Sequence, residues 1–187
     1  MTNKLLAIFG AGGHGKVVAE TAFAAGWDEV IFYDDKFPHN KNMGNYVVIG
    51  NFKDLVSNAA RYEGVHIAIG SNTIRMNLID QLRTRKISLP NIIHPSALIS
   101  TTASLVDSAC IMPGVIVNAG CKIGAGVILN TAAIVEHNCK IGAGAHVSTG
   151  AHLAGGVTLG CMSWVGIGAS VIQGIKIGSN AIVGAGS

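Results

Sequence analysis

Lys122-Ile-Gly-Ala-Gly-Val-Ile-Leu129-Asn-Thr-Ala-Ala-Ile-Val135-Glu-His-Asn-Cys-Lys-Ile141-Gly-Ala-Gly-Ala-His-Val147 places an aliphatic residue at every sixth position. Followed outward in both directions, the register runs unbroken from Ile93, Ile99, Leu105, Ile111 and Val117 to Leu153, Leu159, Val165, Val171, Ile177 and Val183. The residue four places after each aliphatic is mostly small, as at Ala97, Ala103, Ala109, Cys121, Ala133, Cys139, Ala145 and Ala151. The two series alternate as the inward face of a short strand does, which leaves the next pair of positions for a corner. Gly and Asn are frequent at those corners, where tight bends favour residues that tolerate unusual dihedrals. Three such faces close a triangle, so one coil takes about eighteen residues and rises about 4.8 Å, the spacing of paired strands. Residues 93–182 therefore predict five coils of a parallel solenoid. Periodicity alone gives no activity, because solenoids also serve as spacers and scaffolds.

The character of the chain changes near residue 90, which predicts an α/β domain over 1–90 and the solenoid over 91–187. In the first part, Lys4 to Phe9, Glu29 to Tyr33, His66 to Ile69 and Asn91 to Ile93 read as strands. Gly15 to Ala25, Phe52 to Arg61 and about Thr73 to Arg85 read as helices, and the alternation predicts a small parallel sheet. With a net charge of +3 and 12% charged residues, the 187-residue chain carries no basic stripe and no nucleic-acid signature. It contains no run of eighteen apolar residues and no signal-peptide layout at its start, which predicts a cytoplasmic protein without membrane insertion. Cys110, Cys121, Cys139 and Cys161 form no CxxC pair, and Cys121 and Cys139 share an inward position one coil apart, which reads as small core filler.

After the first strand comes Gly10-Ala-Gly12-Gly13-His14-Gly15, and Asp34-Asp35 ends the second strand about twenty residues on. Such a loop suits a phosphate at a helix N-terminus, with carboxylates placed for ribose or base hydrogen bonds. The domain is about half the length that a full dinucleotide needs, so it reads as a half-Rossmann-like mononucleotide unit.

These motifs, taken with Tyr33-Asp34-Asp35, Ala68-Ile69-Gly70-Ser71-Asn72 with Arg75, and Ile93-His94-Pro95-Ser96-Ala97 leading into the repeat, resemble the PglD-like sugar-nucleotide N-acetyltransferases of the hexapeptide-repeat superfamily. The resemblance runs from about Leu5 to the last residue. It implies that the solenoid is a left-handed parallel β-helix and that the reaction is acetyl transfer from acetyl-CoA to the 4-amino group of a UDP-linked amino sugar, on the route to diacetylbacillosamine. It implies nucleotide-sugar contacts from Gly12, Gly13, His14, Asp34, Asp35, Gly70 and Asn72. It also implies coenzyme contacts from His146, Gly155 and Ile167, and a homotrimer with active sites between subunits. Relatives continue past the position of Ser187 with a partial coil and a short tail.

Within the repeat, Val135 points inward, Glu136 outward and His137 sits at a corner. The resemblance makes His137 the general base, and the chemistry asks for one, since an amine attacking a thioester must shed a proton and imidazole titrates near working pH. Glu136 or Asn130 is placed to orient the ring. Asn138 stands where relatives often carry an acid. Gly155 lies eighteen residues after His137, so the repeat stacks it one coil above, where its N–H can meet an oxyanion. No cysteine sits beside a histidine as an activated nucleophile requires, so direct attack is expected. His137 and His146 diverge within one chain, which agrees with a site shared between subunits. Two alternatives stay open at this point. One is acetyl transfer to a GDP- or dTDP-amino sugar or to a sialic acid hydroxyl. The other is a zinc lyase resembling the γ-class carbonic anhydrases, using His137, His146 and His152; the acetyltransferase reading needs no metal.

Overall fold

Leu5–Phe9 forms the central strand β1 of a three-stranded parallel sheet ordered β2-β1-β5, with β2 at Glu29–Tyr33 and β5 at Gly64–Ile67. The computed structural model describes residues 4–39 and 41–187. Leu6, Ala7 and Ile8 of β1 are wholly buried, as expected of a strand covered on both faces. Helix α1 spans Gly13–Ala24, α2 spans Phe52–Asn58 and runs into a 3₁₀ turn at Ala59–Arg61, and α3 spans Asn72–Thr84. Asn51 caps α2 through a reciprocal box with Asp54, and the Ser71 hydroxyl caps α3. A two-rung hairpin, β3 at Asn42–Met43 and β4 at Tyr46–Val47, lies between β2 and α2. Phe9 pairs with both Tyr33 and Ile67, so the loops leaving β1, β2 and β5 emerge together at the carboxyl edge of the sheet. That edge is where open α/β sheets bind ligands.

Contact density divides the chain between Ile92 and Ile93. The sixteen two-residue strands from Ile92–Ile93 to Ile182–Val183 stack in register eighteen residues apart, as in Ile116↔Ile134 and Val147↔Val165, and build three parallel ladders. The first face carries Leu98–Ile99, Ile116–Val117, Ile134–Val135, His152–Leu153 and Ser170–Val171. Ser104–Leu105, Lys122–Ile123, Lys140–Ile141, Thr158–Leu159 and Lys176–Ile177 form the second. The third runs from Ile92–Ile93 through Cys110–Ile111, Ile128–Leu129, His146–Val147 and Trp164–Val165 to Ile182–Val183. Asn91 to Ile93, read from sequence as an α/β strand, thus opens a β-helix ladder instead.

Both inward series are buried through the middle coils: Leu129, Val135, Val147 and Leu153 are fully covered, as are Ala133, Cys139, Ala145 and Ala151. Each large aliphatic so buried contributes about 1.5–3 kcal/mol relative to exposure. From Ser108 to Gly186, every sixth residue has φ between 57° and 72°. From Gly126 on, its N–H bonds the carbonyl one coil earlier, as Asn138 to Ala119 at 2.8 Å and Gly156 to His137 at 2.8 Å. Glycine fills most of these left-handed positions, but Ser108, Ala132, Asn138, Met162 and Asn180 adopt them too. In the first coil, hydroxyls take the acceptor's part, with Gly114 N–H donating to Ser96 Oγ at 3.1 Å and Gly120 N–H to Thr102 Oγ1 at 3.0 Å.

Candidate functional site

At the carboxyl edge of the α/β sheet, the glycines separate into two kinds. Gly10 has φ 114°, and a Cβ there would lie 2.7 Å from the Ala68 carbonyl oxygen; a Cβ on Gly15 would strike the Gly10 carbonyl. Those two serve the fold. Gly12, Gly13 and Gly70 have no positive φ and nothing within 4 Å of a Cβ, so the fold alone does not require glycine at any of them. Gly12 is the N-cap of α1 and offers no side-chain cap, which leaves the first amides of the helix facing the open cradle.

Asp34 lies beneath this loop and is already engaged: Oδ2 accepts from Ala11 N–H at 2.8 Å and Oδ1 from Lys36 N–H at 2.9 Å. Its observed work is to hold the glycine loop. Asp35 is exposed, with Oδ1 accepting from Phe52 N–H at 3.1 Å. Asn72 opens α3, and its Oδ1 accepts from Arg75 Nη2 at 2.8 Å. Arg75 is buried and also donates through Nη1 to the carbonyls of Ile69 at 2.9 Å and Gly70 at 3.1 Å. It thus organises the third loop of the cradle, a role that its place in the sequence motif did not reveal. His14 sits in the first turn of α1 with a buried Nε2 that has no hydrogen-bond partner among the described residues. Burial first, and the Arg75 charge second, lower its pKa to about 4, so at neutral pH it is an uncharged ring. The fully buried His66 is lowered to about 3, chiefly by burial.

In the β-helix, His137 stands exposed at the corner between the first and second faces. Its ring extends over Gly155: a Cβ on that glycine would lie 2.5 Å from both Cε1 and Nε2. The Gly155 N–H donates to no backbone carbonyl among the described residues. On its other side, the His137 Nδ1 is 3.2 Å from the Asn138 side-chain nitrogen. The ring's hydrogen-bonded neighbour is therefore Asn138, and neither Glu136 nor Asn130 bonds it among the described residues. Glu136 is half-buried on the first face. Asn130 follows a strand of the third face, where Oδ1 accepts from Thr131 N–H at 2.8 Å and Nδ2 lies 3.5 Å from His146 Nε2. Within one chain, Asn130 thus lies beside His146 and not beside His137, since adjacency along the chain does not show which face a side chain joins.

His146 is buried on the third face, stacked on Trp164 with ring centroids 5.2 Å apart and planes at 11°. Trp164 Nε1 donates to Ser148 Oγ at 2.6 Å, which fixes the indole. Trp164 had no signal in the sequence beyond its eighteen-residue offset from His146. Above it, Trp164, Ile167, Ile182 and Gly184 line an apolar hollow of about 290 Å³, and Ile167 itself is exposed at the corner between the third and first faces. In a triangular cross-section, the corner holding His137 is opposite the face holding His146, so the two rings point away from each other within one chain. His152 projects from the first face, and the three imidazoles are not brought together by this chain. Cys121 donates its thiol to the Glu136 carbonyl at 3.0 Å and Cys139 to the Ala154 carbonyl at 3.2 Å. Burial pushes both thiols up, Cys139 to about 11, so neither is an activated nucleophile.

A parallel α/β unit with an open glycine cradle, followed by a parallel β-helix with a corner imidazole over a glycine, defines the two-part hexapeptide-repeat class. The family described as the PglD N-terminal domain matches residues 5–82. The acetyltransferase domain of PglB from Neisseria gonorrhoeae, solved with acetyl coenzyme A, is 39% identical with a TM-score of 0.94 over 99% of this chain and 90% of that one. A histidine-to-asparagine variant of perosamine N-acetyltransferase from Caulobacter crescentus, solved with CoA and GDP-perosamine, is 37% identical with a TM-score of 0.93 over 99% and 88%. UDP-N-acetylbacillosamine N-acetyltransferase of Bacillus subtilis is 37% identical over 115 residues, 58% of this chain. That match spans 51%, about half, of the curated relative's length. The chain belongs to the PglD-like sugar N-acetyltransferase family, and its β-helix is of the left-handed kind found there.

Proposed function

We propose that the protein transfers the acetyl group of acetyl-CoA to the 4-amino group of a UDP-linked amino-dideoxy sugar, with His137 as general base and no acyl-enzyme. The observation that carries this reading is the His137 ring laid over a glycine whose identity nothing else explains. Nε2 of His137 takes a proton from the attacking amine, and the Gly155 N–H, one coil above, meets the oxyanion of the tetrahedral intermediate. The imidazolium then returns its proton to the departing coenzyme thiolate. The amide product and free thiol leave the ring neutral for the next cycle.

The open cradle at Gly12, Gly13 and Gly70, with the uncapped α1 N-terminus, suits the diphosphate of the nucleotide-sugar. Exposed Asp35 is the candidate for ribose or base hydrogen bonds. His14, uncharged at neutral pH, suits a hydroxyl or an amide of the sugar better than a phosphate. His146, Trp164 and Ile167 offer an apolar wall for the coenzyme arm. His137 and His146 point apart in one chain, so the active site is assigned to neighbouring subunits of a homotrimer. A GDP-linked amino sugar is the second reading, favoured by the GDP-perosamine bound to one relative.

The test is thiol release from acetyl-CoA with UDP-, dTDP- and GDP-linked 4-amino sugars and sialic acid, with and without chelator. Turnover on the UDP-4-amino sugar, indifferent to chelator, is expected. Turnover on the GDP sugar alone moves the assignment to the second reading, and no thiol release with any acceptor overturns acetyl transfer.

A further inference from the structure

We infer that the lysine column on the second face of the β-helix is the phosphate-binding edge of the coenzyme site, with Lys176 meeting the phosphates; the inference rests on the shared active site proposed above. Residues 93–187 hold three lysines and no arginine, and all three, Lys122, Lys140 and Lys176, belong to strands of the second face. They occupy one outward position in register, Lys122 against Lys140, and Thr158 between Lys140 and Lys176. All three are exposed, and none is in an ion pair among the described residues. The acids of the same stretch lie elsewhere, Glu136 on the first face and Asp107 at the corner beyond the second. Like charges on adjacent rungs, about 4.8 Å apart, are destabilising. Every lysine of the β-helix is thus gathered onto one face with no acid to offset it, an arrangement that suits an anion.

The place of the column selects the anion. Lys140 is the first outward residue after the His137 corner, so the second face is one flank of that corner. The other flank, the first face, carries Leu98, Ile116 and Ile134 at the equivalent position. In a shared site the apolar flank is the one that a neighbouring subunit covers favourably, whereas covering the lysines would desolvate unpaired charges. The lysine flank is therefore left facing the neighbour's third face across an open cleft. That face holds His146 and, on the next two coils toward the C-terminus, Trp164 and Ile182 beside the apolar hollow of about 290 Å³. An acetyl-CoA with its thioester at His137 and its uncharged arm along this hollow delivers its phosphates to the last coils. Lys176 lies on the coil of Ile182, two rungs or about 10 Å beyond Lys140. Its ammonium meets the phosphates there, and Lys140 and Lys122 extend the positive field toward the reacting end.

Lys176 is exposed, so Lys176→Gln removes the charge without cost to the fold, which a thermal melt checks. Binding is measured by calorimetry for acetyl-CoA and by competition for S-acetylpantetheine, which keeps the arm and lacks every phosphate. Lys176→Gln should raise the acetyl-CoA Kd about tenfold and leave that of S-acetylpantetheine unchanged, and Lys176→Arg should restore tight binding. Lys122→Gln combined with Lys140→Gln should slow acetyl-CoA association at low salt, a difference that disappears at high salt. An acetyl-CoA Kd indifferent to Lys176→Gln overturns the inference, as does an equal loss for S-acetylpantetheine or a loss confined to the nucleotide-sugar KM. The binding measurements need no acceptor. Losses as described in a protein that turns over no acceptor support the lysine edge and overturn acetyl transfer to a nucleotide-sugar instead.

Discussion

Gly155 lies outside the left-handed positions of the corners, so its backbone does not demand glycine; the His137 ring does. Gly155→Ala sets a methyl carbon 2.5 Å from Cε1 and Nε2, and the ring must swing off the corner. The expected result is a fall in kcat of about a hundredfold, the scale of a misplaced reacting group, with coenzyme binding and melting temperature close to those of the unsubstituted protein. Steady-state rates and a thermal melt check both halves, and an unchanged rate means the ring does not work from this position. Side-chain contacts were the least legible part of the chain. The eighteen-residue offset placed Gly155 over His137 correctly, because register is arithmetic in a solenoid. The partners of the two rings within one chain were not legible, because a rotamer leaves no trace in spacing. Asn138 turns to His137, and Asn130 to His146.

Among the elements, the repeat was legible because each coil repeats one packing problem, and the alternation of large and small inward residues states its solution. The parallel sheet was legible for a similar reason, since β1 is apolar throughout. The hairpin at Asn42–Met43 and Tyr46–Val47 was missed, being too short for any alternation to register. Helix α1 begins at Gly13, two residues before its predicted start, because glycines disfavoured in a helix interior are tolerated in the first turn. The left-handed corners at Ala132 and Met162 also carry no sequence signal, since tertiary register overrides their preference. Within the α/β unit, His66 is buried uncharged, with its folded pKa near 3 against 6.5 when unfolded. The unfolded chain therefore binds the extra proton first as pH falls below about 6.5. Stability is complete above that value and declines steadily toward the folded pKa, by about 3 kcal/mol from His66 alone at pH 4. Thermal melts from pH 7 to pH 4 should show this decline, and His66→Gln should flatten it; an equally steep decline in the variant places the acid sensitivity elsewhere.

For the whole molecule, the opposed directions of His137 and His146 carry the main consequence. Exposed Leu98, Ile167, Ile172 and Ile182 supply apolar surface on the faces and corners that a trimer would cover. If each site takes His137 from one subunit and His146 from the next, His137→Ala and His146→Ala subunits complement each other. Random reassembly of an equal mixture places both native rings in about a quarter of the sites. The mixture should therefore regain up to that share of activity, although each variant alone is deficient. A mixture no more active than the mean of its parents, or a fully active monomer in sedimentation, contradicts the shared site.

On the proposed mechanism, acetyl transfer to a nucleotide-linked amine needs His137 as its base. The measurement that tests it most directly is the rate of thiol release from acetyl-CoA with a UDP-4-amino sugar, compared between the unsubstituted protein and His137→Ala, with acetyl-CoA binding measured on both. The predicted result is a loss of turnover of roughly a hundredfold to ten-thousandfold, with coenzyme affinity essentially unchanged. Turnover at the full rate without the imidazole would contradict it.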